Sequence, residues 1–394
     1  MVLQSLAGKV PAPRRATVRT LVKDGEVIDE ALTLWLPGPG SATGEDCAEL
    51  HCHGGRAVIA ALRSALAALP DVREAEPGEF ARRAFANGRI DLAQAEALGD
   101  LLAAETELQR RVAQAGVGGA LSSVVANWRD RVLLLSAMIE SALDFSDEAD
   151  VIALPEHFFT ERNALRQEIL DCLANPRAER LRDGIRVVIG GPPNIGKSSL
   201  FNVLLEDNAA IVSPYPGTTR DFIERAVAIS GVPFILVDTA GLRDEDTDEI
   251  ESIGIARAQA QLAGADMVLW LGEEGTGPRG AIEVHARCDD PTSFRKIAPD
   301  FRVSSMTQAG LAELKQGMIE RAMALLPAPG SNAVNERQAI LLSSAAGALA
   351  DTSHDELLIA ESLRRARMDF DRLLGHSGVE HMLDALFARF CIGK

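Results

Sequence analysis

The chain has 394 residues, of which 40 are Lys or Arg and 57 are Asp or Glu, giving a formal net charge of −17; 47% are hydrophobic and 25% charged. The length is room for roughly two to four domains, and the balance is that of a folded protein rather than a disordered one. The acidic balance excludes a nucleic-acid binder that works by bulk charge, since such binding rests on neutralised phosphates, and no apolar run approaches the ~18 residues of a membrane span.

The first ten residues lack the basic start and long apolar core of a signal peptide. Five scattered cysteines, Cys47, Cys52, Cys172, Cys288 and Cys391, contain no Cys-x-x-Cys pair and read as reduced thiols. The expectation is a cytoplasmic protein that does not engage a membrane. Basic clusters at Arg82/Arg83, Arg110/Arg111, Arg177 to Arg186 and Arg364 to Arg367 read as solvated helix faces.

Residues 1–90 mix strand-like runs, Ala16–Val22 and Ala31–Leu36, with breaks at Pro37-Gly38-Pro39-Gly40 and Pro77-Gly78. His53-Gly54-Gly55 opens a helical run, Ala57–Leu69. His51, Cys52 and His53, near Cys47, fit no familiar structural-zinc spacing, and alternate strand residues point to opposite faces. Residues 91–184 are helical in texture; Leu121, Val124, Val125, Trp128, Val132, Leu135 and Ile139 recur at the spacing of an amphipathic helix. Residues 185–326 alternate apolar strands with helices, as a parallel α/β domain does. Residues 327–394 turn helical again. Helical texture on both sides of an α/β segment points to an inserted domain, with two separate helical domains as the alternative on composition alone. The expected fold is therefore multidomain, α/β plus α, behind an α+β N-terminal domain.

The most specific signal is Gly191-Pro192-Pro193-Asn194-Ile195-Gly196-Lys197-Ser198, placed between the apolar run Ile185–Gly190 and the helical run Ser199–Glu206. That is the strand, Gly-x-x-x-x-Gly-Lys-Ser, helix context of a phosphate loop. Its backbone N–H groups can point at phosphate oxygens, and the helix N-terminus adds positive potential. Lys197 would reach the β- and γ-phosphates and Ser198 would ligate magnesium. Downstream, Pro216-Gly217-Thr218-Thr219-Arg220-Asp221 offers Thr219 as a second magnesium ligand that is in place only with the γ-phosphate. The run Pro233–Val237 ends in Asp238-Thr239-Ala240-Gly241, 40 residues after Ser198. There an Asp can hold magnesium through water, and a Gly N–H can meet the γ-phosphate.

Together these three elements point to a GTPase. An Asn-Lys-x-Asp element should follow a later strand to read guanine. After Ile282–His285 the chain has Ala286-Arg287-Cys288-Asp289, so Asp289 fits and Ala286 lacks the amide that ties this loop down. The strand Asp266–Leu271 is also followed closely by Ile282, a short distance for a strand-helix-strand crossover. Val303-Ser304-Ser305 fits a loop whose backbone contacts the base. Guanine preference is expected, but smaller than with an intact element.

On these residues the chain resembles the MnmE (TrmE) family of tRNA-modification GTPases over nearly its whole length. Outside the GTPase motifs the likeness rests on Pro37-Gly38-Pro39, Thr43-Gly44-Glu45-Asp46, His53-Gly54-Gly55, Pro77-Gly78-Glu79-Phe80, Asp91-Leu92-Ala93-Gln94-Ala95-Glu96, Ile253-Gly254-Ile255 and Cys391-Ile392-Gly393-Lys394. The resemblance implies a folate-binding-like domain over 1–90 and a helical domain split into 91–184 and 327–394 around a phosphate-loop G domain over 185–326.

It implies nucleotide contacts from Asn194, Ile195, Gly196, Lys197, Ser198, Ser199, Ser213, Pro214, Tyr215, Pro216, Gly217, Thr218, Thr219, Asp238, Thr239, Ala240, Gly241, Asp289, Ser304 and Ser305. Mg2+ would be held by Ser198 and Thr219. The Asn194 amide, carbonyls near Ser213 and Tyr215, and Thr218 form an oxygen-rich cage suited to a large monovalent ion, which the resemblance implies is K+. Leu242 stands where a small GTPase carries its water-orienting glutamine, and the family's downstream glutamate corresponds to Glu251, the catalytic candidate.

A reduced folate would meet Glu49, Arg89 and Lys394. The family's chains begin with a strand and a Gly-rich segment bearing an arginine of the folate site, and this sequence starts after them. Weakened folate binding and dimerisation are therefore expected. The implied partners are GTP and GDP, a second copy, the flavoprotein MnmG (GidA) and tRNA, whose wobble uridine receives an aminomethyl-type group. The alternative reading is a nucleotide-dependent scaffold or ribosome-assembly-type GTPase with weakened base recognition.

Overall fold

The computed structural model describes residues 1–144, 154–206, 209–210, 223–238, 259–328, 330, 332–351, 353, 355–377, 380–388 and 390. The chain divides into two compact units, Met1–Leu102 with Phe370–Lys394, and Ala103–Asp369.

In the first unit, β1 (Thr17–Lys23) and β2 (Glu26–Leu36) form an antiparallel hairpin, and β3 (Cys47–His51) adds to the other edge of β2. The hairpin turns at Asp24-Gly25, both at positive φ, which suits the right-handed twist of its strands. One face of this sheet buries Leu21 and Ala31 against Leu6 of α1 (Val2–Ala7) and against Leu62 and Ala65 of α2 (Arg56–Ala67). The His-Gly-Gly motif begins that helix: His53 N–H donates to Asp29 Oδ2 at 2.7 Å, and its Nδ1 meets Oδ1 at 2.8 Å.

Further on, α3 (Glu79–Ala86) and α4 (Leu92–Leu102) pack with Phe387 of α13 (Glu380–Phe387) and with Phe390. The Asp91-to-Gln94 motif caps α4: Gln94 N–H donates to Asp91 Oδ1 at 2.8 Å, and Asp91 N–H to Gln94 Oε1 at 3.0 Å. Two amides that the helix itself leaves unsatisfied are paired this way.

In the second unit, α5 (Glu107–Val117), α6 (Ala120–Asp144), α7 (Glu156–Ala174) and α8 (Ala178–Asp183) precede a seven-stranded sheet. On α6 the expected stripe is the buried one: Leu121, Val125, Trp128, Val132, Leu135 and Ile139 all lie inside. At about 1.5–3 kcal/mol for each large apolar side chain buried, this face fixes how the helix sits. The sheet order is β10-β9-β8-β4-β7-β6-β5, built from β4 (Ile185–Gly190), β5 (Ala209–Ala210), β6 (Ile223–Ile229), β7 (Val232–Asp238), β8 (Met267–Trp270), β9 (Ile282–His285) and β10 (Phe301–Arg302). Strands β10, β9, β8, β4 and β7 run parallel, β6 pairs antiparallel with β7, and β5 pairs antiparallel with β6.

Helices α9 (Lys197–Glu206) and α10 (Leu311–Leu325) pack on the sheet through Leu200, Phe201, Leu204, Leu314 and Met318. After them α11 (Glu336–Leu349) returns to pack along α7, and α12 (Glu356–Leu374) follows. The helical segments before and after the sheet are stitched together. Ala178 N–H donates to Val334 O at 3.1 Å, and Glu336 N–H to Glu179 Oε1 at 2.6 Å. The α/β domain is thus an insertion in a helical one.

Among the described residues, Cys47, Cys52, Cys172 and Cys288 are free thiols, and no helix is long and apolar enough to cross a membrane.

Candidate nucleotide-binding site

Strand β4 lies at the middle of the sheet, with β7 on one side and β8 on the other. The chain leaves β4 toward the β7 side of the sheet and leaves β7 for β8 on the other side, and at such a switch point ligands bind beyond the carboxyl ends of the strands. The loop 191–196 occupies that place, between β4 and α9. Gly191 has φ 142, and a Cβ there would stand 2.9 Å from Gly272 N, so only glycine lets the chain turn this close to the end of β8. Asn194 sits at the exposed tip with φ 60, the left-handed conformation that asparagine tolerates better than most residues.

Lys197 is 6% exposed, and its ammonium donates to Gly191 O at 2.9 Å and Pro192 O at 2.8 Å. Leu200 N–H donates to Gly196 O, so the amides of Lys197, Ser198 and Ser199 come before the first α9 hydrogen bond. Ser198 and Ser199 are exposed beside them, and Ile195 is partly buried against the sheet core. Asp238, 2% exposed, ends β7 directly alongside Ile189 of β4. Three sequence-predicted groups therefore converge on one end of the sheet: the loop lysine, the first-turn serines and the strand-end carboxylate.

The loops after β9 and β10, expected from the sequence to meet the base, lie next to them. Cys288 N–H donates to Val303 O at 3.0 Å, and Val303 N–H to His285 O at 2.9 Å, which ties the loop after β9 to the loop after β10. Arg287, at φ 53, lays its side chain against the phosphate loop: a Cβ on Gly196 would lie 3.5 Å from its Nε and 3.7 Å from Ala286 Cβ. Asp289 is exposed. Ser304 is fully buried, and its Oγ accepts from the amides of Met306 and Thr307, while Ser305 follows half-buried at the loop's rim.

The short crossover noted in the sequence is real. Residues 271–281 join parallel strands β8 and β9 with no helix among them. The work of a covering helix falls to Lys296, which is 3% exposed, donates to Trp270 O at 2.6 Å and pairs with Glu283. Sequence reasoning missed Lys296 and also His285, the last residue of β9. A histidine ending the apolar run Ile282–His285, just before an alanine where an amide was expected, is the signal that could have marked it.

Comparison with known proteins decides the family. The MnmE helical domain model matches residues 92–391, and the model of the GTP-binding protein TrmE N-terminus matches residues 1–89. The chain is 58% identical over its full length to the tRNA modification GTPase MnmE of Erythrobacter litoralis, covering 93% of that protein. It is 56% identical to that of Novosphingobium aromaticivorans, again over 100% of this chain and 93% of the relative. This chain belongs to the MnmE family. As an MnmE-family protein it is a GTP hydrolase of tRNA modification, and the nucleotide it handles is GTP or GDP.

The MnmE motifs of the first unit hold structure as well as carrying the likeness. Gly78, at φ 72, lies against Phe387: a Cβ there would come 2.3 Å from Phe387 O. Glu45 of the Thr-Gly-Glu-Asp motif accepts from Arg83 and from Asn87 Nδ2, and the Arg83 guanidinium foremost holds its carboxyl below the usual range. Glu49 lies half-exposed on β3 with its Oε2 3.0 Å from His51 Nε2. Arg89 is exposed, and its stem runs beside Gly44. Among the described residues no hydrogen bond or ion pair joins Glu49 to Arg89. Ser213, Pro214, Tyr215, Pro216, Gly217, Thr218, Thr219, Thr239, Ala240, Gly241, Glu251 and Lys394 lie outside the described residues.

Proposed function

We propose that this MnmE-family GTPase binds GTP at the loop 191–196 and hydrolyses it in a potassium-stimulated reaction. The observation that carries the reading is the placement of Lys197. A buried ammonium over the loop's own carbonyls, at the end of the central strand, is set to exchange those carbonyls for β- and γ-phosphate oxygens. The first-turn amides of α9 add donors at the same place. Ser198 and Thr219 are the direct Mg2+ donors, with Asp238 behind them; a hydroxyl and a buried carboxylate at one sheet end are the hard oxygen donors this ion takes. Asn194, at the loop tip, fits as one oxygen donor for K+, in company with Ser213, Tyr215 and Thr218. When bound, these cations supply positive charge to the phosphate oxygens as the bond breaks.

Glu251 orients the attacking water in this scheme. Asp289 and the loop at Ser304 and Ser305 read guanine, with Arg287 lying across the phosphate loop from the base side. The chain acts as a homodimer with the flavoprotein MnmG (GidA) on the wobble uridine of tRNA, in the cytoplasm. Glu49, Arg89 and Lys394 contact a reduced folate. Steady-state turnover of GTP against ATP by the full chain tests the core of this reading. GTP turned over at least about tenfold faster supports it, and equal rates overturn it.

A further inference from the structure

The base-recognition loop and the phosphate loop enclose a cavity of about 60 Å³. Asn194 and Ile195 line it from one side, His285 and Ala286 from the other, and Ser293 and Lys296 help to close it. His285 is 4% exposed, and among the described residues neither of its ring nitrogens has a hydrogen-bond partner. A buried polar group left in that condition costs about 1–3 kcal/mol, so such groups are normally satisfied by protein or by ordered water. The lining of this cavity is mixed, with Asn194, His285 and Ser293 offering polar atoms beside the apolar Ile195, Leu271 and Phe294, and its volume is several times the ~10–15 Å³ that one water needs.

The neighbouring cation does not fill the role, because the Lys296 ammonium is bonded to Trp270 O and Glu283. Burial, with Arg302, Arg295 and Lys296 close by, holds the imidazole below its ordinary pKa. The ring is therefore neutral at physiological pH, with one donor nitrogen and one acceptor nitrogen.

The loop's backbone hydrogen bonds explain why a further tie is needed. Bonds between Cys288, His285 and Val303 hold it to the loop after β10, and Asp290 N–H bonds back to Arg287 O. None of these hydrogen bonds reaches the phosphate loop, which Arg287 and Ala286 approach only by packing beside Gly196. Ala286, whose methyl faces the cavity, has no polar side-chain atom to make that connection.

We propose that His285 is a positioning residue for base recognition, which fastens the Ala286–Asp289 loop to the phosphate loop at Asn194 and Ile195 through water held in this cavity. The inference rests on the reading of Asp289 as the guanine contact. The bridge sets the distance between the phosphate-binding and base-reading loops, so it acts on guanine discrimination rather than on the chemistry of hydrolysis.

Calorimetric titration of the full chain with GDP and with ADP tests it. Wild type binds GDP more tightly than ADP; equal affinities overturn the guanine reading itself. His285→Val lowers GDP affinity about tenfold and ADP affinity much less, so that the GDP-to-ADP ratio collapses. Ala286→Asn in the His285→Val background restores the ratio, because the amide makes the missing tie directly. That double variant also serves should His285→Val alone fail to fold. An unchanged ratio in His285→Val, an equal loss for both nucleotides, or a double variant that does not recover GDP preference overturns the role of His285.

Discussion

Lys296 Nζ donates to the main-chain oxygen of Trp270 at 2.6 Å, so a lysine from the loop after β9 holds the end of β8. Its other partner is Glu283 in the middle of β9, and together they bind two parallel strands whose connection has no helix to cover them. The ammonium is almost wholly buried and the carboxylate largely so. Removing one member of a buried pair leaves the other charge unpaired, at a cost of about 3–5 kcal/mol. Lys296→Met is therefore expected to lower stability by about 3 kcal/mol or more in urea unfolding followed by tryptophan fluorescence. A loss under about 1 kcal/mol contradicts the account of this crossover.

Lys197→Ala should abolish tight nucleotide binding, because the ammonium and the first amides of α9 neutralise the phosphates jointly. Titration of a fluorescent GTP analogue should show at least ~100-fold weaker binding with circular dichroism unchanged. Wild-type affinity in that variant means the phosphate site lies elsewhere.

The burial of His285 has a pH signature. Its folded-state pKa lies below the ordinary imidazole value of 6.5 because of burial, then Arg302, Arg295 and Lys296; Glu283 is held by Lys296. The unfolded chain takes up a proton as pH falls through about 6.5, and the folded chain resists it until lower pH. This contribution to stability is complete above that value and is lost as pH falls below it. His285→Gln, which cannot titrate, should show a smaller loss of urea-unfolding stability than wild type between pH 7.5 and 5.5. Parallel pH profiles for the two proteins would show that the ring protonates freely in the folded state.

Much of this architecture is written in local sequence. The stripe from Leu121 to Ile139 is legible because helical burial repeats every three to four residues, and all but Val124 of its named members are fully inside. The phosphate loop is legible because glycines, a lysine and a serine at fixed spacing between a strand and a helix have few other uses. Strand β3 is not legible: Cys47–His51 lies half-exposed at a sheet edge and carries no strict alternation. The Lys296 knot and the His285 cavity are not legible either. Each depends on contacts between segments far apart in the chain, and a buried lysine or histidine looks, in sequence, like any other. Gly78 belongs with these, since the reason for it is Phe387.

In the proposed function the phosphate loop of this GTPase recruits a monovalent cation through Asn194. Steady-state GTP hydrolysis should be compared in potassium and in sodium, at matched ionic strength and saturating magnesium, for wild type and Asn194→Ala. The account predicts at least about tenfold faster turnover in potassium, equivalent to ~1.4 kcal/mol of barrier, and loss of that difference in Asn194→Ala. Equal wild-type rates in the two salts would contradict it.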